Sequence, residues 1–329
     1  MQFSWENKKR LVGLGPMDGV SDSPMRQLSR EFGADFVFTE MISADGLVRK
    51  SKTILKKLQF KKRERPIIAQ IFGKNPQIMA QAAQILEKDF KFDGIDVNAA
   101  CPAKKMLNSG HGGSLLKDPG ALCSLLDVVR RSTKLSLSLK TRLGYAHNDE
   151  LIKIIPRIEK TGINAIIVHN RTILQKFEKS ADKSIVSRLK KKISLPLIAS
   201  GDVFTKSDIA KYISYGADGV LVARGALGNP WIFEGLDIVK EKPQKFLDNY
   251  QNKNLIEIIS RDELKETILK HLNLTIDFYG DESLACVLFR KHFLWYLSKM
   301  KGVKQLKIKA AVVKSKNDVE NILNKLLND

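Results

Sequence analysis

Asp93-Gly94-Ile95-Asp96-Val97-Asn98-Ala99-Ala100-Cys101-Pro102-Ala103-Lys104-Lys105 reads as a short buried strand that ends on an asparagine and a single thiol, with two lysines beyond. A thiol at such a strand end can act as an acid toward a ligand held there, provided the fold gathers other strand ends beside it. Seven further runs of the same apolar, β-branched texture surround it: Leu11 to Met17, Phe36 to Met41, Pro66 to Phe72, Leu135 to Arg142, Ala165 to Asn170, Pro196 to Ser200 and Gly219 to Ala223. Gly94 to Ala99 is the fourth strand in this order. Helical patterns lie between them, and Asn75-Pro76, Asp118-Pro119 and Asn148-Asp149 open the clearest three.

The runs are near-continuously apolar, as parallel strands covered on both faces should be. A doubly wound open sheet would share that texture. Eight strand–helix units filling roughly 235 residues match the size of a closed barrel, and no Gly-x-Gly-x-x-Gly follows the first run. The expected fold is therefore α/β, a (βα)8 TIM barrel over residues 1–240. After it, Lys242 to Asn254 is polar and irregular, and Leu255 to Leu327 reads as several helices without strands. Residues 241–329 are expected to form a C-terminal all-helical domain.

Composition narrows the class of partner. The 329 residues carry a formal net charge of +20, well beyond what solubility needs, which points to a polyanion. Arg49 to Arg65 holds nine Lys/Arg against one Glu, Arg290 to Lys316 holds nine with no acidic residue, and Arg188 to Lys192 adds four. Around residue 290 the charges interleave with Phe289, His292, Phe293, Trp295 and Tyr296, a mixture suited to phosphate and base contacts. No apolar run approaches the roughly 20 residues that span a bilayer, and Met1 to Arg10 is unlike a signal segment. The three cysteines, Cys101, Cys123 and Cys286, form neither a disulfide framework nor a zinc pattern. A cytoplasmic monomer without metal is expected.

Barrel chemistry sits at the carboxyl ends of the strands. Those ends are Gly15-Pro16-Met17-Asp18-Gly19, Thr39-Glu40-Met41, Gln70-Ile71-Phe72-Gly73, Asn98 to Pro102, Lys140-Thr141-Arg142, His169-Asn170-Arg171-Thr172, Ser200-Gly201-Asp202 and Ala223-Arg224-Gly225. Nearly all are polar, small or ionisable. In this order they resemble the dihydrouridine synthase family, and Asp-x-Asn-x-x-Cys-Pro-Ala-Lys-Lys and Arg-Gly-Ala-x-Gly-Asn-Pro-Trp-Ile-Phe extend the likeness over almost the whole chain.

The resemblance implies a barrel that binds FMN, NADPH (or NADH) as reductant, and a helical domain that grips tRNA. The implied reaction saturates the C5–C6 bond of uridine. It makes Cys101 the catalytic acid; a thiol with a pKa of about 8.5 is largely protonated near neutrality and can donate. It assigns Pro16, Met17 and Asp18 to the flavin ring, Gln70 to its pyrimidine edge, Lys140 to the N1–C2 edge, and His169 beside it. Ser200, Gly201, Asp202, Ala223 and Arg224 would receive the phosphate, on loops where barrels often bind one. Asn98 would orient the uracil, and Arg142 would meet uracil carbonyls or a phosphate. Arg290 and Lys291, with His292, go to RNA or to packing between the domains.

Some positions depart from the family pattern. Asn98-Ala99-Ala100-Cys101-Pro102 stands where Asn-Met-Gly-Cys-Pro is common, Ser200 replaces Asn, Ala223 replaces Gly, Asn170 replaces Gly, and Asp18 replaces Ala. Gly-to-Ala exchange beside a phosphate narrows backbone approach. The same reaction on ribosomal RNA or another structured RNA fits the basic surface equally. A non-catalytic RNA-binding relative fits less well, because Cys101, Lys140 and His169 are all present. A free-pyrimidine reductase would not call for so large a charge.

Overall fold

The computed structural model describes residues 3–5, 10–249, 259–300 and 302–328. Its strands are β1 (Leu11–Leu14), β2 (Phe36–Phe38), β3 (Ile42–Ser43), β4 (Ile67–Phe72), β5 (Gly94–Ala99), β6 (Ser136–Arg142), β7 (Ala165–His169), β8 (Leu197–Ser200) and β9 (Gly219–Val222). All ladders are parallel, and the β1–β9 and β2–β4 pairings close them into a barrel. The run expected from Phe36 to Met41 is strand only over Phe36–Phe38, and the two-residue β3 beyond it pairs only with β4, so the ring has eight strands. The helices Pro76–Ile85 and Pro119–Ser132 start as expected, with Asn75 and Asp118 side chains accepting N–H bonds from their first turns. Asp149 makes no such cap; instead the carboxylate of Glu150 accepts from the amides of Tyr145 and His147.

Alternate residues of each strand face two different cores. Val12, Leu14, Val37, Ile71, Ile95, Val97, Leu137, Leu139, Ile166 and Val168 point outward into the layer between strands and helices. Leu11, Phe36, Phe38, Ile68, Ala165, Ile167, Ile198 and Leu221 fill the barrel interior, and Trp5 joins them. Trp5 meets Phe3 and Phe36 edge-on at 5.0 and 5.2 Å between ring centroids. The polar strand ends expected at Gln70, Asn98 and Lys140 face inward, and Asp96 and Ser138 extend the polar set one step deeper on the same face of β5 and β6. The interior therefore has an apolar floor and a polar mouth.

Residues 243–249, expected to be irregular, form a helix, Pro243–Asn249, whose Phe246 and Leu247 join the outer barrel core. The remainder of that expected stretch, residues 250–254, lies outside the described residues. Beyond it come helices Arg261–Tyr279, Glu282–Ser298, Lys304–Ala310 and Lys316–Asn328, whose buried faces share a second core with Trp231. The indole N–H of Trp231 donates to Glu263 (2.6 Å) and its ring meets Phe32 edge-on. On the mouth side, the Tyr279 hydroxyl donates to Asp22 (3.2 Å), Lys56 donates to the Phe278 carbonyl (2.7 Å), and Lys291 donates to the Gly19 carbonyl.

Removing the floor plug should be costly, because truncating a buried aromatic leaves a cavity. Trp5→Ala is expected to lower unfolding free energy by about 3–5 kcal/mol, measured by denaturant melting. A second prediction concerns acid. His271 and His292 are buried with ring centroids 4.6 Å apart, and neither Nε2 has a hydrogen-bond partner. Burial, with Lys291 nearby, pushes His271 down to about 3 and His292 well below the usual imidazole range. Both stay neutral in the fold while the unfolded chain protonates below about pH 6.5, so stability present above that pH is lost on acidification. His292→Leu should remove about 1.4 kcal/mol per pH unit from this slope below pH 6, read from melts at stepped pH.

Candidate active site

The strand ends converge on one cleft, lined by Pro16, Met17, Asp18, Gln70, Asn98, Cys101, Lys140, Arg142, His169, Ser200, Gly201, Asp202, Ala223 and Arg224. Every barrel residue expected in the site is therefore present there. Arg290 and Lys291 are not. Arg290 donates to the carbonyls of Val312 and Val313 inside the helical bundle, and Lys291 bonds Gly19 across the junction with the barrel. Lys291 thus packs between the domains, while Arg290 bonds within the bundle.

Cys101 follows the end of β5 and is partly exposed, whereas Cys123 and Cys286 are buried. Its backbone is held on both sides. The Asn98 side-chain oxygen accepts from the amides of Ala100 (3.0 Å) and Cys101 (3.1 Å), and the Cys101 carbonyl accepts from Gly113 (3.0 Å). The Asn98 amide group in turn donates to Gln70 (2.8 Å) and to the Met41 sulfur. Asn98 was expected to orient a uracil, yet its hydrogen-bonding capacity is committed to the thiol-bearing turn. Gln70 donates to Asp96 (2.7 Å) while accepting from Asn98, which leaves it one free N–H.

Lys140 enters the cleft from β6. Burial, then Arg142, lowers its pKa, and the Asp96 carboxylate opposes that. No hydrogen bond to its ammonium occurs among the described residues, so it is available to a bound anion or carbonyl. Arg142 is 1% exposed. It donates to the carbonyls of Ala100 (2.9 Å), Thr172 (2.8 Å) and Lys176 (2.6 Å). Only its Nη2 amino group is left without a partner among the described residues.

On the neighbouring strand β7, where His169 stands in register with Arg142, Arg171 can only donate, so the 3.2 Å contact from its Nη1 makes His169 Nε2 an acceptor and puts the imidazole proton on Nδ1. Burial and the surrounding Arg142, Lys140, Arg171 and Arg224 push His169 far below the usual imidazole range. It is a neutral imidazole that lines the cleft. Asp202, expected at a phosphate, instead accepts from Arg171, from Arg224 (2.9 Å) and from the Ala181 amide (2.9 Å). These partners outweigh its own desolvation and hold its pKa below the usual carboxylate value. A carboxylate would repel phosphate, but this one fixes two guanidinium groups. Arg224 also lies over Phe177 at 4.8 Å and Phe204 at 5.4 Å, where cation–π attraction limits its motion.

The loops beside Arg224 require glycine because the chain packs closely against itself there. Gly201 has φ +113°, and a Cβ there would lie 3.0 Å from Ala181 and 3.1 Å from His169; at Gly225 it would lie 2.0 Å from the Val203 carbonyl oxygen. Ala223, where the family pattern has glycine, has φ −118°, outside the left-handed region, so its Cβ is tolerated. Unpartnered Lys140 and Arg142 Nη2 on one wall, and a glycine cradle with Arg224 on the other, fit a planar ligand with a polar edge and a phosphate tail. Arg171, Phe177 and Phe204 were given no role from the sequence. Arg171 stood inside a quoted motif, but no local signal marks the two phenylalanines. Among the described residues no cluster of His, Cys, Asp and Glu could hold a metal, and no helix is long and apolar enough to cross a membrane.

A closed parallel barrel that gathers a thiol, a buried lysine and several arginines in one cleft at its mouth has the architecture of a (βα)8 enzyme. The family model described as dihydrouridine synthase matches residues 13–329, and the chain belongs to that family. A probable tRNA-dihydrouridine synthase of Rhizobium leguminosarum bv. phaseoli is 33% identical, over 94% of this chain and 92% of its own. The tRNA-dihydrouridine synthase B of Pasteurella multocida is 34% identical over 89% and 85%. A probable tRNA-dihydrouridine synthase of Aquifex aeolicus is 33% identical over 91% and 90%.

The cradle predicts a phosphate-dependent affinity. A charged hydrogen bond is worth about 1.5–3 kcal/mol, so Arg224→Ala should weaken binding of a phosphorylated flavin about tenfold or more. Binding of the same flavin without phosphate should change little, both read by quenching of flavin fluorescence.

Proposed function

We propose that this protein reduces the C5–C6 double bond of uridine in tRNA to 5,6-dihydrouridine, with FMN as cofactor and NADPH, or NADH, as reductant. Cys101 carries the reading: it is the partly exposed thiol, at the end of β5, in the cleft that also holds Lys140 and the Gly201–Arg224 cradle. When bound, FMN supplies the hydride that C6 of the uracil receives. Cys101 then delivers its Sγ proton to C5, and solvent restores the thiol.

The other roles follow from which groups are free. Lys140 and the remaining N–H of Gln70 face the polar edge of the flavin, where an ammonium favours negative charge. Neutral His169 donates from Nδ1. Pro16, Met17 and Asp18 form the wall along the ring, with Asp18 held by Lys57. Ser200, Gly201, Ala223 and Arg224 take the phosphate, and Asp202 holds Arg224 and Arg171 in place. The free Nη2 of Arg142 meets a uracil carbonyl. Asn98 acts on the substrate indirectly, by fixing the turn of Cys101. The barrel carries the chemistry, and the helices after residue 259 grip RNA, which suits the basic run from Arg290 to Lys316.

Cys101→Ala separates the half-reactions. Flavin reduction by NADPH should keep its rate, while dihydrouridine formation in tRNA falls by about 10²-fold or more, the usual worth of a positioned acid. Stopped-flow absorbance reads the first and nucleoside mass spectrometry the second. Unchanged dihydrouridine formation would remove Cys101 from the mechanism.

A further inference from the structure

Asp96 lies wholly inside the barrel, beneath the mouth. Nothing in the roles above uses it. One carboxylate oxygen accepts from the Ser138 hydroxyl (2.6 Å) and the other from the Gln70 amide (2.7 Å). The ladders explain the meeting, since Gln70 on β4 and Ser138 on β6 are the direct cross-strand neighbours of Asp96 on β5. From Gln70 the bonds continue upward: its carbonyl accepts from Asn98, whose own carbonyl accepts from the backbone amides of Ala100 and Cys101.

The two ends of this chain differ in kind. Backbone N–H groups can only donate, and the Asp96 carboxyl presents an acceptor oxygen to Gln70 whether ionised or carrying its proton on the other oxygen, toward the Ser138 hydroxyl. A side-chain amide between them could point either way on its own, because its two ends are nearly the same size. Set between a donor-only end and an acceptor oxygen, Gln70 and Asn98 must align head to tail. Reversing either amide would place donor against donor or acceptor against acceptor in a buried site, which is costly.

We propose that Asp96 is a positioning residue for Cys101: the buried carboxylate fixes the orientation of Gln70 and Asn98, and through them holds the Ala100–Cys101 turn that presents the thiol. Lys140, on the same inward face as Ser138, gains from the same charge, since Asp96 opposes the loss of its proton. The role of the turn rests on Cys101 being the proton donor, but its positioning is measured here without turnover, so the two can fail separately.

The test is hydrogen exchange by mass spectrometry on the cofactor-free protein, with the alkylation rate of Cys101 as a second reading. Asp96→Leu removes the acceptor, and exchange at Ala100 and Cys101 should speed by about tenfold or more, with an altered alkylation rate and unchanged exchange in β7. Asp96→Asn can still accept from Gln70 while donating to Ser138, and should keep wild-type protection at the turn. Should Asp96→Leu fail to fold, Asp96→Ala, which leaves room for water, is expected to show the same loosening. Wild-type exchange at Ala100 and Cys101 in the Leu or Ala variant overturns the proposal. Loosening spread evenly over all strands also overturns it, since Asp96 would then be a stability residue only.

Discussion

Closure of the parallel sheet is the constraint on which the rest depends. Once β1 pairs with β9 and β2 with β4, every strand points its carboxyl end to the same mouth, and residues from distant parts of the chain become neighbours without any loop reaching for them. Closure also divides each strand's side chains between two environments of different size. The outer layer is wide and apolar. The inner one is narrow, filled at its floor by Trp5, Phe36 and Phe38, and polar at its top.

Placing so many charges in a buried mouth is expensive unless each is paired or free to meet a ligand. The structure uses both solutions. The Arg142 guanidinium has three backbone carbonyls in place of water, and Arg171 and Arg224 share Asp202. Asp96, pushed up by burial, is met by Ser138 and Gln70. Lys140 alone among these cations has no hydrogen-bond partner in the described residues, and His169 avoids a charge altogether. The mouth is thus rigid where it must hold shape and unsatisfied where a cofactor edge would lie.

Much of this was legible in the sequence. The eight strand positions, the caps at Asn75 and Asp118, and the set of residues at the mouth all follow from local pattern, because buried strands and their polar ends differ sharply in composition. What local pattern does not carry is direction. Asn98 and Arg142 stand where expected but bond largely to protein, and Arg290, given to RNA or to packing between the domains, bonds within the helical bundle, since partners distant in sequence decide which way a side chain's donors turn. Asp96 and Ser138 left a signal that was available: polar residues two apart within β5 and β6 break the apolar texture on the inward face only. Phe177 and Phe204 lie on loops whose path no periodicity fixes.

The most direct measurement is the mass of uridine in an unmodified tRNA transcript incubated with the purified protein, FMN and NADPH. A gain of two hydrogens at specific uridines, dependent on all three components, is the predicted result. Consumption of NADPH by a flavin-loaded, tRNA-bound protein without any such gain would contradict the assignment of uridine reduction to this cleft.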